Sequence, residues 1–329
     1  MAYDMLYLSQ DDVIALGIKM EEVIREVELG LELKGLGKVE LPPKPGVHPR
    51  DDCYIHAMPC WIGDSVDAAG VKWVAGYPKN LEANLPYNNG VFCLNDTETG
   101  VIKSIMDANW MTTWRTGAAA ALGAKYFASA DTRVVSVIGL GTIGKIVLRA
   151  IKTLFPAVTL VKIYDPLDEQ VKKYVVEMSA LFPDIAFERA ATMQEACADS
   201  DIVTTNAPIL EKPNRRLVRS WLKRECLCIS SDYDSTLHEN VAGESVAFCC
   251  DDRTQYLWTQ EKGIYFQKGY PKGSGIYADM GDICAGKREP IRQGLRVCVF
   301  MGIASHDVMV ARLIYRKAAE AKAGQWLKL

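Results

Sequence analysis

The residues with the clearest chemical purpose lie in one run, Val134-Val135-Ser136-Val137-Ile138-Gly139-Leu140-Gly141-Thr142-Ile143-Gly144. An apolar strand pattern here meets glycines spaced GxGxxG and passes directly into a helical pattern. Gly139 permits a tight turn, Gly141 lets a phosphate group approach the backbone, and Gly144 lets the helix sit close to the strand. The helix start at Thr142 and Ile143 then aims unpaired amides at negative charge. The next strand-like run, Leu160 to Tyr164, is closed by Asp165, about 20 residues on, where a carboxylate accepts hydrogen bonds from ribose hydroxyls. This is the pattern of a dinucleotide site. NAD is favoured over NADP because the Asp165 carboxylate would repel a 2′-phosphate, and Lys162 close by keeps NADP as the alternative. Thr205 and Asn206, beyond the strand near Ile202, are expected to complete the cofactor contacts.

Other chemistries find less support. The four histidines, His48, His56, His238 and His306, have no helical metal-ligand spacing. Among ten cysteines, Cys226-x-Cys228 and Cys249-Cys250 are the only close pairs, and neither has the gap and second pair of a structural zinc site. No metal is expected. The formal net charge is -3 with interspersed charges, which gives no basic stripe for nucleic acid. No apolar run approaches a bilayer-spanning length. The start MAYDMLYLSQ lacks the blocks of a signal peptide, so the expectation is a soluble cytoplasmic protein with reduced thiols.

These residues need elements to position them. The 329 residues exceed the usual single-domain size, so two domains are expected. Ser9 and Asp12 resemble a helix-starting box, and Val13, Leu16, Val23, Val27 and Leu31 follow a helical stripe; the chain is expected to open on one or two amphipathic helices. The proline-rich Leu41 to Arg50 reads as an extended approach to a strand. Strand-like runs follow at Tyr54 to Met58, Gly70 to Ala75 and Val91 to Asn95, with the polar cluster Asn95 to Gly100 as a hairpin connection. From Thr112 a small-residue helix begins, and beyond it strands near Val134, Leu160, Ile185, Ile202 and Leu227 alternate with helices over 143–154 and 167–181. That alternation predicts a doubly wound parallel sheet. A last helix over 303–323 comes after the strands and is expected to return to the first domain.

Several segments together resemble the ornithine cyclodeaminase and mu-crystallin family, which includes archaeal-type alanine dehydrogenases and ketimine reductases. They are Leu41-Pro42-Pro43-Lys44, His56-Ala57-Met58-Pro59, Gly70 to Val74, Tyr77-Pro78-Lys79-Asn80, Arg115 to Ala119, the GxGxxG, and Gly302-Ile303-Ala304 followed by Asp307. The resemblance implies an α/β protein, with an NAD-binding Rossmann domain over 116–303 inserted in an α+β substrate-binding and dimerisation domain over 1–115 and 304–329. It implies a homodimer. It also implies that Lys44, Lys72 and Arg115 converge on a substrate carboxylate, with Arg115 additionally in reach of cofactor phosphate. Lys72 lies in the apolar run Val71 to Val74, a poor place for an idle lysine. Lysine at position 44, where many members carry arginine, belongs to the alanine dehydrogenase branch.

The family's catalytic aspartate matches Asp232 in Ser230-Ser231-Asp232-Tyr233-Asp234. There it would orient the substrate nitrogen and exchange a proton, and Lys72 is the second residue expected to be catalytic. Where members continue with Pro-Gly-Lys this chain has Tyr233-Asp234-Ser235-Thr236, which makes Asp234 a rival. The stretch Leu85 to Gly90 also departs from the family, and its polar Asn89 is expected to line the substrate pocket. The activity implied is NAD(P)-dependent interconversion of an amino acid with its imino or 2-oxo acid. The same resemblance leaves two alternatives, a cyclodeaminase-type lyase that uses NAD catalytically and a non-enzymatic ligand-binding protein of the mu-crystallin kind.

Overall fold

In the computed structural model, which describes residues 3–210 and 212–329, the chain divides into two compact units, Met1–Arg115 with Ile303–Leu329, and Thr116–Gly302. Met1, Ala2 and Glu211, which fall within the expected domains, lie outside the described residues. The division falls inside one helix, Asn109–Phe127, whose first amides, Asn109 and Trp110, donate to the Asp107 carboxylate. Ala118 to Leu122 of that helix are almost completely buried, the packing that small side chains allow.

In the first unit, strict alternation governs the strand Ala68–Gly76: even-numbered residues are buried and odd-numbered ones are not. It pairs antiparallel with Tyr54–Ile62 on one side and Asn88–Asn95 on the other. The expected hairpin joins Asn88–Asn95 to Ile102–Asp107, with a bulge at Leu94/Asn95. Helices Met20–Gly35 and Ala304–Ala321 pack against each other, so closely that a methyl group on Gly30 would lie 2.7 Å from Met309. The second of these helices also covers the three central strands on the face holding Lys72.

One expectation needs correction. The chain opens on a strand, Asp4–Leu8, before the helix Gln10–Ala15 that the Ser9 and Asp12 capping box starts. This strand runs parallel to Ile102–Asp107 and antiparallel to Gln325–Lys328. Its pairing partners are distant in sequence, and five residues followed at once by a capping box carry little periodicity of their own.

Among its described residues the second unit carries eight strands, all paired parallel. Their spatial order is Ala186–Arg189, Leu160–Tyr164, Val134–Ile138, Ile202–Thr205, Cys226–Ser230, Leu295–Val299, Ala247–Cys250 and Ala278–Asp279. Succession runs outward from Val134–Ile138 in one direction and then reverses to Ile202–Thr205. Such a reversal opens a crevice at the carboxyl ends of these two strands, where doubly wound sheets bind ligands.

Candidate functional sites in each unit

The glycine motif sits at that reversal. Gly139 has φ +85°, and a side chain there would meet the Asn206 backbone at 2.8 Å; one on Gly144 would lie 2.1 Å from the Gly139 carbonyl oxygen. Both positions therefore require glycine, the first for the turn and the second for the close seat of helix Thr142–Leu154. Around Gly141 nothing lies within 4 Å of the added carbon. The first bond into the helix runs from the Lys145 amide to the Gly141 carbonyl, so the amides of Thr142, Ile143 and Gly144 have no intrahelical acceptor. Asp165 ties the loop down, accepting from the Leu140 amide and the Leu167 amide at 2.9 Å each. A carboxylate offers about four acceptor positions, so two are left for ribose hydroxyls. Asn206 donates its amide to Ile138 O and Thr204 Oγ1 at 3.2 Å each, while its buried Oδ1 accepts nothing from the protein. Open space over Gly141, outward amides, spare acceptors on Asp165 and an orphaned acceptor on Asn206 fit a dinucleotide.

Asp232 lies in the same unit and is fully buried. Oδ1 accepts from Thr205 Oγ1 at 2.6 Å and Ser230 Oγ at 2.8 Å; Oδ2 accepts from Thr236 Oγ1 at 2.7 Å and the Ala207 amide at 3.0 Å. Burial raises its pKa, and these four donors oppose the rise. The carboxylate thus braces the ends of strands Ile202–Thr205 and Cys226–Ser230. Asp234 braces a loop instead, pairing with Arg215 and accepting from the Phe266 amide at 2.7 Å. Arg215, Tyr233 and Phe266 all have left-handed backbones, φ 45°, 59° and 56°, a conformation that surrounding contacts must hold in place.

The other polar centre is in the first unit. Lys72 Nζ and Arg115 Nε both reach Asp307 Oδ1, at 2.8 and 3.1 Å. Lys72 and Asp307 are wholly buried and Arg115 nearly so. Among the described residues Asp307 Oδ2 has no hydrogen-bond partner, nor has either ring nitrogen of the buried neighbour His306. Burial, and then the charge of Arg115, pull Lys72 down to about 7, with Asp307 working against them. Burial would push Asp307 up, but Lys72 and Arg115 outweigh it and hold its carboxyl below the usual range. Lys44 lies in the extended segment ahead of Gly46–Val47, half-buried, and its charge is felt at both His56 and Lys72. Asn89 is not part of this centre. It pairs with Ala75, and alternation puts it on the sheet face turned away from Lys72, its amide donating to Pro86 O at 2.9 Å.

The sequence matches the ornithine cyclodeaminase/mu-crystallin family over residues 5–322. The chain belongs to this family. A nodulation efficiency protein from Rhizobium meliloti is 30% identical over 97% of both chains. Alanine dehydrogenase of Archaeoglobus fulgidus is 29% identical over 98% of both. Among solved structures, Thermococcus litoralis Δ1-pyrroline-2-carboxylate reductase in complex with NADH and L-proline superposes with a TM-score of 0.87 at 25% identity, over 98% of this chain and 99% of its own. An archaeal alanine dehydrogenase dimer with bound NAD gives 0.86 at 27%, over 99% of this chain and all of its own. Within the family fold, the residue that spacing did not single out is Asp307, noted in the sequence only as part of a matching segment. Its signal was the one that marked Lys72, a charged residue among apolar neighbours, here Val308-Met309-Val310.

Proposed function

We propose that this protein is an NAD-dependent oxidoreductase that interconverts an amino acid with its imino or 2-oxo counterpart. The observation that carries the reading is the buried centre in which two cations, Lys72 and Arg115, face one carboxylate, Asp307. Two positive charges against one negative leave an excess of one, and buried charge demands a partner. The carboxylate of an amino or imino acid supplies it, and Lys44 adds a further cation at the edge. Guanidinium and ammonium donors also fix the acid's orientation, which removes part of the entropic cost of bringing the α-carbon to the cofactor.

Gly139, Gly141, Thr142, Ile143 and Gly144 would hold the pyrophosphate of NAD, Asp165 the adenosine ribose, and Thr205 and Asn206 the neighbouring groups. When bound, the nicotinamide supplies or accepts the hydride at the substrate α-carbon. Lys72, near 7, both holds the carboxylate and exchanges a proton at neutral pH. Asp232 holds the strand ends that carry Thr205 and Asn206; with both of its oxygens engaged by protein donors, proton exchange at the nitrogen falls mainly to Lys72. The relatives named as an alanine dehydrogenase and a pyrroline-2-carboxylate reductase support both directions of this chemistry.

The active form is a homodimer. Trp61, Trp73 and Val91 are 45%, 52% and 42% exposed on the sheet face opposite Lys72, and Trp73 pairs directly with Val91. A second copy covers this apolar face, and Trp73→Glu is expected to yield monomers in light scattering. Among the described residues no helix is long and apolar enough to cross a membrane, and ten cysteines in no disulfide suit a reducing cytoplasm.

A panel of 2-oxo acids with ammonia and of cyclic imines, followed by the absorbance of NADH and NADPH in parallel, tests the reading. Net oxidation of NADH, faster than that of NADPH, is expected. Release of ammonia from a diamino acid without accumulation of NADH would instead identify a cyclodeaminase, and tight NADH binding with no turnover of any acid would identify a binding protein.

A further inference from the structure

Asp307 pairs with its cations in an unusual manner. A carboxylate that serves only to neutralise arginine does so best fork to fork, each oxygen taking one terminal nitrogen. Here a single oxygen, Oδ1, takes both Lys72 Nζ and Arg115 Nε, and Oδ2 takes nothing. The terminal nitrogens of Arg115 stay outside this ion pair. The arrangement satisfies the aspartate poorly and aims the cations well.

We propose that Asp307 is a positioning residue: from the first turn of helix Ala304–Ala321 it fixes the Lys72 ammonium and the Arg115 guanidinium in one arrangement and favours the charged form of the lysine before the substrate arrives. The proposal rests on the reading of Lys72 and Arg115 as the cradle for the substrate carboxylate. The groups facing this lysine are Arg115 from helix Asn109–Phe127, Asp307 and His306 from helix Ala304–Ala321, Lys44 from the extended segment, and His56 from strand Tyr54–Ile62. Cys60 from that strand faces Asp307, and Lys34 from helix Met20–Gly35 faces His306. Burial first, then neighbouring cations, drive His56 and His306 to about 3, and burial pushes Cys60 to about 12. All three are therefore neutral near pH 7. Among the described residues Asp307 is the anion that acts on Lys72, and without it burial and Arg115 would pull the lysine further down from about 7.

The test compares wild type, Asp307→Asn and Asp307→Glu in pH profiles of kcat/KM, with NADH and two probes, pyruvate plus ammonia and Δ1-pyrroline-2-carboxylate. Melting temperature and NADH affinity report folding. Asp307→Asn is expected to move the basic limb down by roughly one pH unit, and to raise KM at pH 8 about tenfold with a smaller change in kcat. Asp307→Glu, which keeps the charge on a longer arm, is expected to place the limb between the other two. An unmoved limb in Asp307→Asn, or a limb in Asp307→Glu as displaced as in Asp307→Asn, overturns the proposal. Should Asp307→Asn not fold, Asp307→Glu decides: a displaced limb supports the proposal and an unmoved one overturns it. Lys72→Met separates this from the underlying reading. If that variant keeps wild-type kcat/KM, or neither probe binds or reacts with wild type, the cradle itself fails; if it is impaired while Asp307→Asn has the wild-type profile, only the role of Asp307 fails.

Discussion

Each unit buries an aspartate at its polar centre, and the two are satisfied in opposite ways. Asp232 accepts from neutral donors on both oxygens, one of which, Ser230 Oγ, shares its single proton with the Tyr233 carbonyl; Asp307 receives two cations on one oxygen and none on the other. The donors of Asp232 lie within 27 residues of it, whereas the partners of Asp307 are 235 and 192 residues away. A carboxylate engaged on both oxygens by its local neighbours behaves as a brace for strand ends. A carboxylate that leaves positive charge uncompensated behaves as part of a site that expects an anion.

The contrast can be broken most directly at Lys72. Truncating one member of a buried charge pair costs about 2–5 kcal/mol, so Lys72→Met should lower kcat/KM by roughly 30- to 5,000-fold; a loss below about threefold would remove the functional claim for the centre. Asp232→Asn should act first on stability. Its amide group would confront the donors that now meet a carboxylate, with about 2–4 kcal/mol lost and NADH binding weakened only in proportion to unfolding. A melting curve that coincides with wild type would show that Asp232 is no brace.

Acid sharpens the comparison from the other side. His306 has a folded pKa of about 3 against 6.5 when unfolded, burial being the main cause. Below pH 6.5 the unfolded chain therefore binds a proton that the folded chain refuses, and stability falls as pH drops from 6.5 toward 3. Tm measured from pH 7 to 4 should decline less steeply in His306→Leu; parallel declines would contradict this assignment. The smallest effect belongs to Thr236→Val, which removes one of four donors and should cost about 1 kcal/mol in urea denaturation with kcat unchanged. A drop in kcat larger than about tenfold there would make the Asp232 network catalytic after all.

What the sequence disclosed follows the same division between local and distant. The GxGxxG turn, the capping box at Ser9 and Asp12 and the hairpin at Asn95 to Gly100 are written in adjacent residues and are found where expected. The strand Asp4–Leu8 was missed because its partners are near residues 104 and 327. Lys72 was legible as a charge in an apolar run, but the two-faced character of that run was not. Val71-Lys72-Trp73-Val74 reads as uniformly buried, whereas the structure turns Lys72 inward to Asp307 and Trp73 outward. Asp307 carried the same kind of signal within a helix, and only the fold brings it to Lys72.

The first unit is completed by residues that follow the Rossmann unit: Tyr3 and Leu329 exchange backbone hydrogen bonds, and Asp307 arrives 192 residues after Arg115. On the ribosome, at about 5–20 residues per second, Arg115 and Lys72 would therefore wait roughly 10–50 s for their counter-charge. Throughout that interval the nascent sheet has an unpaired edge and two stranded cations while the Rossmann unit is being made. A ribosome that stalls before residue 307 would leave a polypeptide with its nucleotide fold made and its charge centre unformed, a species for quality-control proteases rather than a partly active enzyme.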